Sequence, residues 1–326
     1  MSKAILLIEP GGPEKLTWQD IAMPEPTKGE VLIRQTAVGL NFIDVYHRTG
    51  FYPLPTYPAI LGMEGAGVVE KLGSECQHLK VGDRVAYGVG PVGGYAQYRT
   101  IPETKLVKIP DSLKDEIAAA SILKGLTAHM LVRRAFIVHP NHTVLVHAAA
   151  GGVGLLLCQW AKHLGARVIG TVGSQEKAKL AAAHGCDFPI LYKQENVVQR
   201  VKEITNGQGV NAVYDAVGKD TYAISLDCLM KMGIFISYGQ ASGPLPLIDS
   251  QELARRGSLF FTRPSLMHYK EDFYEYTHSA AELFDLIMKG TLKVNVGQSY
   301  YLSDVASAHR DLEAGKTSGA TILLPN

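Results

Sequence analysis

Hydrophobic residues recur in two different rhythms along this chain, and the change falls near residue 125. Beyond it, apolar runs of strand length alternate with stretches of helical length. The strand-like runs are residues 142–148, 166–172, 188–192, 210–218 and 234–239, and the helical stretches between them are residues 153–165, 174–185, 196–207 and 220–233. Such alternation predicts right-handed βαβ units and a parallel sheet that helices cover on both faces.

The part before the change is punctuated densely by glycine and proline. Its short apolar runs are residues 29–40, 64–73, 81–90, 93–102 and 104–110. Because such punctuation is typical of short strands joined by turns, we predict a mainly β, barrel-like domain there. A helix follows within residues 113–136. Residues 258–266 predict one more strand, and the tail from Tyr269 predicts a helix at 275–290 and then strand-like segments that return to the first domain.

The composition is that of an ordinary globular protein with room for two domains. The 326 residues are 46% hydrophobic and 19% charged, with a net charge of +1, so no disordered chain, nucleic-acid surface or anionic membrane partner is indicated. The longest internal apolar run, residues 153–158, is far shorter than the roughly 18 residues that a membrane span needs. The N-terminal run is too short for a signal peptide. Four scattered cysteines predict reduced thiols in a cytoplasmic protein.

A glycine-rich turn stands where the first strand of the alternating part leads into a helix. Residues 147–154 read His-Ala-Ala-Ala-Gly-Gly-Val-Gly. Gly151 and Gly154 have the spacing of the last two glycines of the dinucleotide-binding fingerprint, and Ala148 takes the place of the first. Pyrophosphate approaches backbone N–H groups closely at a helix N-terminus, so side chains have to be absent there. We expect the N–H groups of Gly152 and Val153 to contact it.

The turn after the second strand of this part favours NADPH over NADH. An NAD site usually carries an acidic residue there, whereas residues 171–174 read Thr-Val-Gly-Ser. Ser174 can donate a hydrogen bond to a 2′-phosphate, and Lys177 can supply positive charge. Gly173, Ser174 and Lys177 are therefore candidate cofactor-binding residues, and the alternative for Lys177 is a solvated helix lysine.

Seven motifs follow one another along nearly the whole chain. They are residues 39–53, 61–69, 82–85, 123–128, 147–154, 213–218 and 261–266. Together they resemble the zinc-free quinone oxidoreductases of the medium-chain dehydrogenase/reductase superfamily. The resemblance implies an α/β protein with an N-terminal β-rich GroES-like barrel domain and a Rossmann domain with a doubly wound parallel sheet. It implies a substrate domain of residues 1–124 and 266–326, an NADPH-binding domain of residues 125–265, and an active site in the cleft between them.

The same resemblance bears on metal binding. Zinc-dependent alcohol dehydrogenases of the superfamily place a ligand cysteine where this chain has Asn41, a ligand histidine at Met63, and the third ligand near Lys124. These three residues do not rebuild a zinc site, and the four-cysteine cluster of the structural zinc lobe is missing, so we expect no zinc. Zinc polarises the substrate oxygen in those relatives. Without it the acceptor has to be electrophilic itself, as a quinone or an α,β-unsaturated carbonyl is.

Further candidate site residues come from the resemblance. It places Asn41, Asp44 and Tyr46 in the cleft near the nicotinamide, and makes Tyr46 or Tyr52 a donor of a hydrogen bond or a proton to the acceptor oxygen. The alternative for either tyrosine is that it only packs and shapes the pocket, and Asp44 and Lys124 have structural alternatives. Lys124 can reach a carboxylate or the cofactor, or be structural. The other matched positions are Thr127 near the nicotinamide, Tyr192 beside the adenosine ribose phosphate, and Arg263 and Thr317 toward the nicotinamide end. The alternatives are a plain helix threonine for Thr127, an interface tyrosine for Tyr192 and a salt bridge for Arg263. Val217, Gly218, Tyr238 and Gly239 follow later strands, where the ligand-facing loops of open sheets lie.

The leading prediction is a homodimeric, zinc-independent NADPH:quinone reductase, with residues 260–266 as an edge strand through which two Rossmann sheets join. An NADPH-dependent enone or 2-enoyl reductase is the alternative with the same chemistry. An alternative of another class is a single-stranded RNA-binding or structural protein of the zeta-crystallin type. The near-neutral charge and the lack of a basic, aromatic-lined stripe disfavour nucleic acid as a partner. No GxSxG turn supports a hydrolase.

Overall fold

The computed structural model describes residues 1–325, which form two compact units. The first unit comprises Met1–Leu126, Lys270–Lys289 and the chain from Val294 onward, and the second comprises Thr127–Tyr269 with Gly290–Lys293. The boundaries expected from the sequence, after residues 124 and 265, stay a prediction. Among the described residues, no helix has the length and apolarity needed to cross a membrane.

The first unit begins with short strands, as the glycine and proline punctuation predicts, and with one short helix that was not predicted. In chain order they are β1 (Ser2–Leu7), β2 (Leu16–Ile21), β3 (Glu30–Leu40), α1 (Phe42–Thr49), β4 (Ala59–Ile60), β5 (Glu64–Leu72), β6 (Arg84–Tyr87), β7 (Tyr98–Pro102) and β8 (Val107–Lys108), with 3-10 turns at Pro13–Lys15 and Glu103–Lys105. Helix α2 (Asp115–Met130) follows and continues into a π-helical turn, Leu131–Ala135. This helix lies within the stretch that the sequence predicts to be helical.

The second unit alternates strands and helices. Its strands are β9 (Thr143–Val146), β10 (Arg167–Val172), β11 (Phe188–Leu191), β12 (Val210–Asp215), β13 (Leu229–Ser237) and β14 (Phe260–Thr262), and its helices are α3 (Gly152–His163), α4 (Gln175–Ala183), α5 (Val197–Ile204), α6 (Tyr222–Cys228), α7 (Ser250–Arg255) and α8 (Leu266–Tyr269). The strands form one parallel sheet in the order β11-β10-β9-β12-β13-β14. The strand order reverses between β9 and β12, and ligands of such sheets bind at the carboxyl ends beside this reversal.

The tail of the chain completes the first unit. It contains α9 (Phe273–Met288), β15 (Val296–Tyr301), a 3-10 turn at Leu302–Asp304, α10 (Val305–Glu313) and β16 (Ala320–Leu324). A seven-stranded sheet has the order β15-β16-β3-β5-β6-β8, with β7 also paired to β3, and a second sheet has the order β2-β1-β4. Gly39 near the end of β3 faces Glu64 at the start of β5. This register brings the beginnings of α1 and β5 together.

Three segments differ from the sequence prediction. The strand expected at residues 258–266 comprises only Phe260–Thr262, because Pro264 has no N–H to donate to a neighbouring strand and α8 begins at Leu266. Helix α6 ends at Cys228, and residues 229–233 belong to a strand, because Leu229 pairs with Val210 and Met232 has a φ of 60°, outside the helical region. The tail after residue 290 holds a helix, α10, where only strand-like segments were expected. Its buried residues are Val305, Ala308 and His309, which have helical spacing. The predicted α/β class, with a β-rich domain and a Rossmann-type parallel sheet, is confirmed.

Candidate active site

A buried carboxylate, Glu64, binds two predicted site residues of the first unit, Asn41 and Lys124. Glu64 is fully buried. Its Oε2 accepts a hydrogen bond from Nδ2 of Asn41 at 2.9 Å and from Nζ of Lys124 at 2.5 Å, and its Oε1 accepts one from the backbone N–H of Leu123 at 2.7 Å. Only 4% of the Lys124 side chain is exposed. Glu64 therefore stabilises the buried positive charge of Lys124, since an unpaired charge in this environment is strongly destabilising.

Helix α1 begins beside Glu64. Asn41 is its N-cap, and its backbone N–H donates to Oδ2 of Asp44 at 2.9 Å, the return bond of a capping box. Asp44 is fully buried. Burial raises the pKa of Asp44 to about 7, against the opposing effects of the Asn41 N–H, the Tyr95 hydroxyl and the Lys124 charge. Asp44 therefore changes its charge near neutral pH.

The two predicted proton donors lie in one aromatic cluster. The ring centroids of Tyr46 and Tyr52 are 5.1 Å apart in an edge-on arrangement, and Phe51 stacks on Tyr52 at 5.2 Å. Tyr46 is buried and Tyr52 is half-buried. The structure brings the two tyrosines together, and a role for either in proton donation stays a prediction.

The positions of the zinc ligands in metal-dependent relatives do not fit a zinc ion in this chain. The Lys124 ammonium and the Asn41 amide both donate to Glu64, and Met63 supplies only a buried thioether. A protonated amine has no lone pair for a metal, and zinc prefers thiolate, imidazole and carboxylate ligands. Within residues 1–325, no group of three His, Cys, Asp or Glu side chains could hold a metal ion.

In the second unit, the glycine-rich turn between β9 and α3 has the backbone geometry of a dinucleotide loop. Ala148 has a φ of 52°, in the left-handed region that the first glycine of the fingerprint would occupy easily. A Cβ on Gly154 would lie 2.3 Å from the Ala148 carbonyl oxygen, so only glycine fits there. Gly151 is the N-cap of α3. The N–H groups of Gly152 and Val153 open the helix, where no intrahelical acceptor serves them.

The turn after β10 gathers the residues predicted for the 2′-phosphate. Ser174 is the N-cap of α4, and its Oγ accepts from the Lys177 backbone N–H at 3.3 Å. The Tyr192 hydroxyl lies 3.0 Å from the point that a Cβ on Gly173 would occupy. Burial, and then the nearby Lys193 ammonium, lower the pKa of Lys177. Lys193 was not predicted from the sequence, although it follows a strand of the parallel sheet.

Asp215, the last residue of β12, organises the turn that carries Val217 and Gly218. It is fully buried. Its Oδ1 accepts from the backbone N–H groups of Val217 at 2.7 Å and Gly218 at 3.0 Å. Its Oδ2 accepts from the hydroxyls of Thr221 at 2.7 Å and Ser225 at 2.9 Å. Four donors thus converge on a carboxylate that the sequence analysis did not single out as a site residue.

His147 connects this carboxylate to the neighbouring strands. Its Nε2 lies 3.1 Å from Ser225 Oγ, and its Nδ1 lies 2.9 Å from Thr171 Oγ1 on β10. Burial lowers the pKa of His147, with the Asp215 charge opposing. A neutral histidine therefore joins the carboxyl ends of β9, β10 and β12, which is a structural role.

The remaining predicted residues fall in both units. The backbone N–H groups of Tyr238 and Gly239 donate to the Asp215 carbonyl oxygen at 2.8 and 3.3 Å. Arg263 follows β14 and donates to the Ser237 carbonyl oxygen at 3.0 Å. Thr127 is buried on α2, and Thr317 is half-buried before β16. Contacts of these residues with a cofactor stay predictions.

Comparisons with known proteins identify the family of the chain. The family model "Alcohol dehydrogenase GroES-like domain" matches residues 27–111, and "Zinc-binding dehydrogenase" matches residues 152–282. The chain is 48% identical to a quinone oxidoreductase of Pseudomonas aeruginosa, with 100% of both chains covered. It is 41% identical to the 2-haloacrylate reductase of Burkholderia sp, covering 100% of this chain and 99% of that protein.

A solved structure gives the same result. Escherichia coli quinone oxidoreductase complexed with NADPH superposes with a TM-score of 0.97 at 44% identity, covering 99% of this chain and 100% of that one. The resemblance inferred from the seven motifs is confirmed. With both domains matched in order and full-length identity to enzymes of this group, the chain belongs to the quinone oxidoreductase family of the medium-chain dehydrogenase/reductase superfamily.

Proposed function

We propose that this protein is an NADPH-dependent quinone reductase that transfers hydride without a metal. The observation that carries the proposal is the ion pair of Lys124 with Glu64, where metal-dependent relatives hold zinc. An ammonium group at this place leaves the acceptor to supply its own electrophilicity, as a quinone does. Full-length identity to quinone oxidoreductases, one of them solved with NADPH, supports the choice of acceptor and cofactor.

The proposed roles of the residues follow from their surroundings. NADPH, when bound, supplies the hydride. The N–H groups of Gly152 and Val153 would hold its pyrophosphate, and Ser174 and Lys177 its 2′-phosphate. In the first unit, a tyrosine of the aromatic cluster would donate a hydrogen bond to the acceptor oxygen as negative charge develops on it. The location of the reaction in a cleft between the domains stays a prediction.

Replacing Lys177 by alanine is expected to weaken NADPH binding about tenfold, because one charge-assisted contact to the 2′-phosphate is lost. NADH lacks that phosphate, so its affinity should change by less than about twofold. Fluorescence titration of both cofactors measures the two dissociation constants. Lys179→Ala is the matched control, since Lys179 is an exposed lysine two residues further along α4. Equal losses for NADPH and NADH would contradict the assignment.

A second function has support of its own. The relative that is 41% identical is a 2-haloacrylate reductase, and 2-haloacrylate is an α,β-unsaturated acid. The second candidate function is therefore that of an NADPH-dependent enone or 2-enoyl reductase, which uses the same hydride chemistry on another acceptor.

Steady-state NADPH oxidation with a panel of quinones and enones distinguishes the two functions. We expect the highest kcat/KM with a quinone, and slow turnover of simple ketones, whose carbonyl oxygen zinc polarises in the metal-dependent relatives. A sample treated with a chelator is expected to keep its full rate. A preference for enones would favour the second function, and inhibition by the chelator would overturn the metal-free mechanism.

We also propose that the protein is a homodimer in the cytoplasm, with nucleic acid no part of its function. β14 is the terminal strand of the parallel sheet, and 61% of Phe260 on it is exposed. An apolar edge strand of this kind needs cover, which the same strand of a second copy would provide. A monomer in sedimentation velocity would contradict the dimer.

A further inference from the structure

A second buried polar network in the first unit ends on Asp44, and the reaction proposed above does not use it. Arg48 on α1 is 2% exposed and donates to Glu313 at 2.7 and 2.8 Å. The same guanidinium lies 3.1 Å from Nδ1 of His309 on α10. Nε2 of His309 lies 3.0 Å from the Tyr95 hydroxyl, and this hydroxyl acts on the Asp44 carboxyl and lowers its pKa. His309, Tyr95 and Asp44 are all fully buried.

The hydrogen bonds of this network run in one direction. A guanidinium can only donate, so His309 Nδ1 accepts from Arg48. The ring is neutral, because burial and the Arg48 charge lower the pKa of His309 to about 3. Its single N–H is then on Nε2 and donates to the Tyr95 oxygen, which leaves the Tyr95 hydrogen for Asp44. Each group thus fixes the orientation of the next.

Asp44, at the end of the network, connects it to the cluster of Asn41, Glu64 and Lys124. Asp44 accepts the backbone N–H of Asn41, whose side chain contacts Glu64 in the cluster with Lys124. Oδ1 of Asp44 has no hydrogen-bond partner within residues 1–325, so it is free to hold a proton. The other charged groups that act on Asp44 are Lys124, which favours the carboxylate, and Glu64, which opposes it.

We propose that His309 is a positioning residue for the reductase reaction: it aims the Tyr95 hydroxyl at Asp44 and so keeps Asp44 as the carboxylate that caps α1 at Asn41. The inference rests on the proposed function, because it assigns Asn41 and its neighbours to the active site. Arg48, paired with Glu313, holds the ring of His309 in the required tautomer. Through this network α10 supports the beginning of α1.

The sign of the effect follows from the donor lost. A hydrogen bond from Tyr95 stabilises the charged form of Asp44 and lowers its pKa, against burial, which raises it. When the Tyr95 hydroxyl is removed or misdirected, Asp44 takes up its proton at higher pH. A protonated Asp44 caps the Asn41 N–H less well. As pH falls, the variant should therefore lose activity at a higher pH than the wild type does.

The test is the pH profile of kcat/KM with a quinone. The acid limb of this profile is the part in which kcat/KM falls as pH decreases. In His309→Phe this limb is expected to move to higher pH by about one pH unit, the size expected for one hydrogen bond to a charged group. His309→Gln can still accept from Arg48 and donate to Tyr95, so it should restore the wild-type limb. Tyr95→Phe should move the limb in the same direction as His309→Phe. It also keeps the test open if the latter does not fold.

Tyr276→Phe is the matched control. Tyr276 is an equally buried tyrosine of the first unit, and it donates to the Lys105 carbonyl oxygen at 3.2 Å. Its loss should lower the melting temperature without moving the limb. An unmoved limb in both His309→Phe and Tyr95→Phe overturns the proposal, and so does a limb that Gln at position 309 fails to restore or that Tyr276→Phe moves equally.

A measurement without substrate separates this inference from the proposed function. A carboxyl whose pKa is raised by folding makes the folded state less stable as pH rises from its unfolded value to its folded value. For wild-type Asp44 this window ends at about pH 7. In Tyr95→Phe it should extend above pH 7, so the melting temperature keeps falling between pH 7 and 8 relative to wild type. This result would support the network even if no quinone were reduced, and parallel curves would overturn it.

Discussion

Glu64→Leu is expected to lower the free energy of unfolding by about 3–5 kcal/mol, the usual cost of removing one partner of a buried ion pair. The substitution leaves the Lys124 ammonium, 4% exposed, without a counter-charge. It also removes the acceptor of the Asn41 amide and of the Leu123 N–H. Urea unfolding of the purified variant at pH 7, compared with wild type, measures the loss.

The double variant Glu64→Leu/Lys124→Met is the control for this loss. It removes both charges together, and replacing a whole buried pair by apolar side chains is often close to neutral. We therefore expect it to recover most of the stability that the single variant loses, although the Asn41 amide stays unpaired. A single variant that loses less than about 1 kcal/mol would contradict the buried ion pair. So would a double variant no more stable than the single one.

Asp215→Ala is expected to weaken NADPH binding more than about tenfold and to lower the free energy of unfolding by about 3 kcal/mol. Two backbone N–H groups, of Val217 and Gly218, and two hydroxyls lose a charged acceptor at once. The turn proposed to face the cofactor then loses its fixed shape. Fluorescence titration with NADPH and urea unfolding of the same sample measure both effects.

Asp187→Ala separates the two effects. Asp187 also accepts a backbone N–H, that of Val168 at 2.9 Å, and it pairs with Lys162 at 2.6 Å. Val168 is near the beginning of β10, away from the carboxyl ends of the strands. We expect this variant to lose stability and to keep its affinity for NADPH. Equal losses of affinity in the two variants would show that Asp215 has no special relation to the cofactor.

The local features of the second unit could be predicted because each depends on residues close together in the sequence. The small residues of the turn at 147–154 predict its backbone conformation, and Ser174 predicts the beginning of α4. The same holds for the alternation of strands and helices. Helix α10 of the first unit could also have been predicted from the sequence, since the spacing of Val305, Ala308 and His309 is helical.

The clusters of the first unit could not be found in this way. Glu64 contacts a residue 60 positions away, and Arg48 contacts His309 across 261 positions. No local period relates such pairs, and only the folded sheet brings them together. Asn41 and Lys124 entered the prediction through the family resemblance, whereas their shared acceptor did not. The start of β13 was missed because its register with β12, not its own pattern, ends the preceding helix.

The pairing of β16 with β3 also bears on how the protein is made. Leu40 at the end of β3 pairs with Thr321. During synthesis, this edge of β3 therefore has no pairing partner until about 280 further residues have been made. At about 5–20 residues per second this takes roughly 15–60 s. The second unit is nearly continuous in sequence, from Thr127 to Tyr269, and can fold meanwhile. On the ribosome, the unit with the dinucleotide turn therefore matures first, and the unit that begins the chain is finished last.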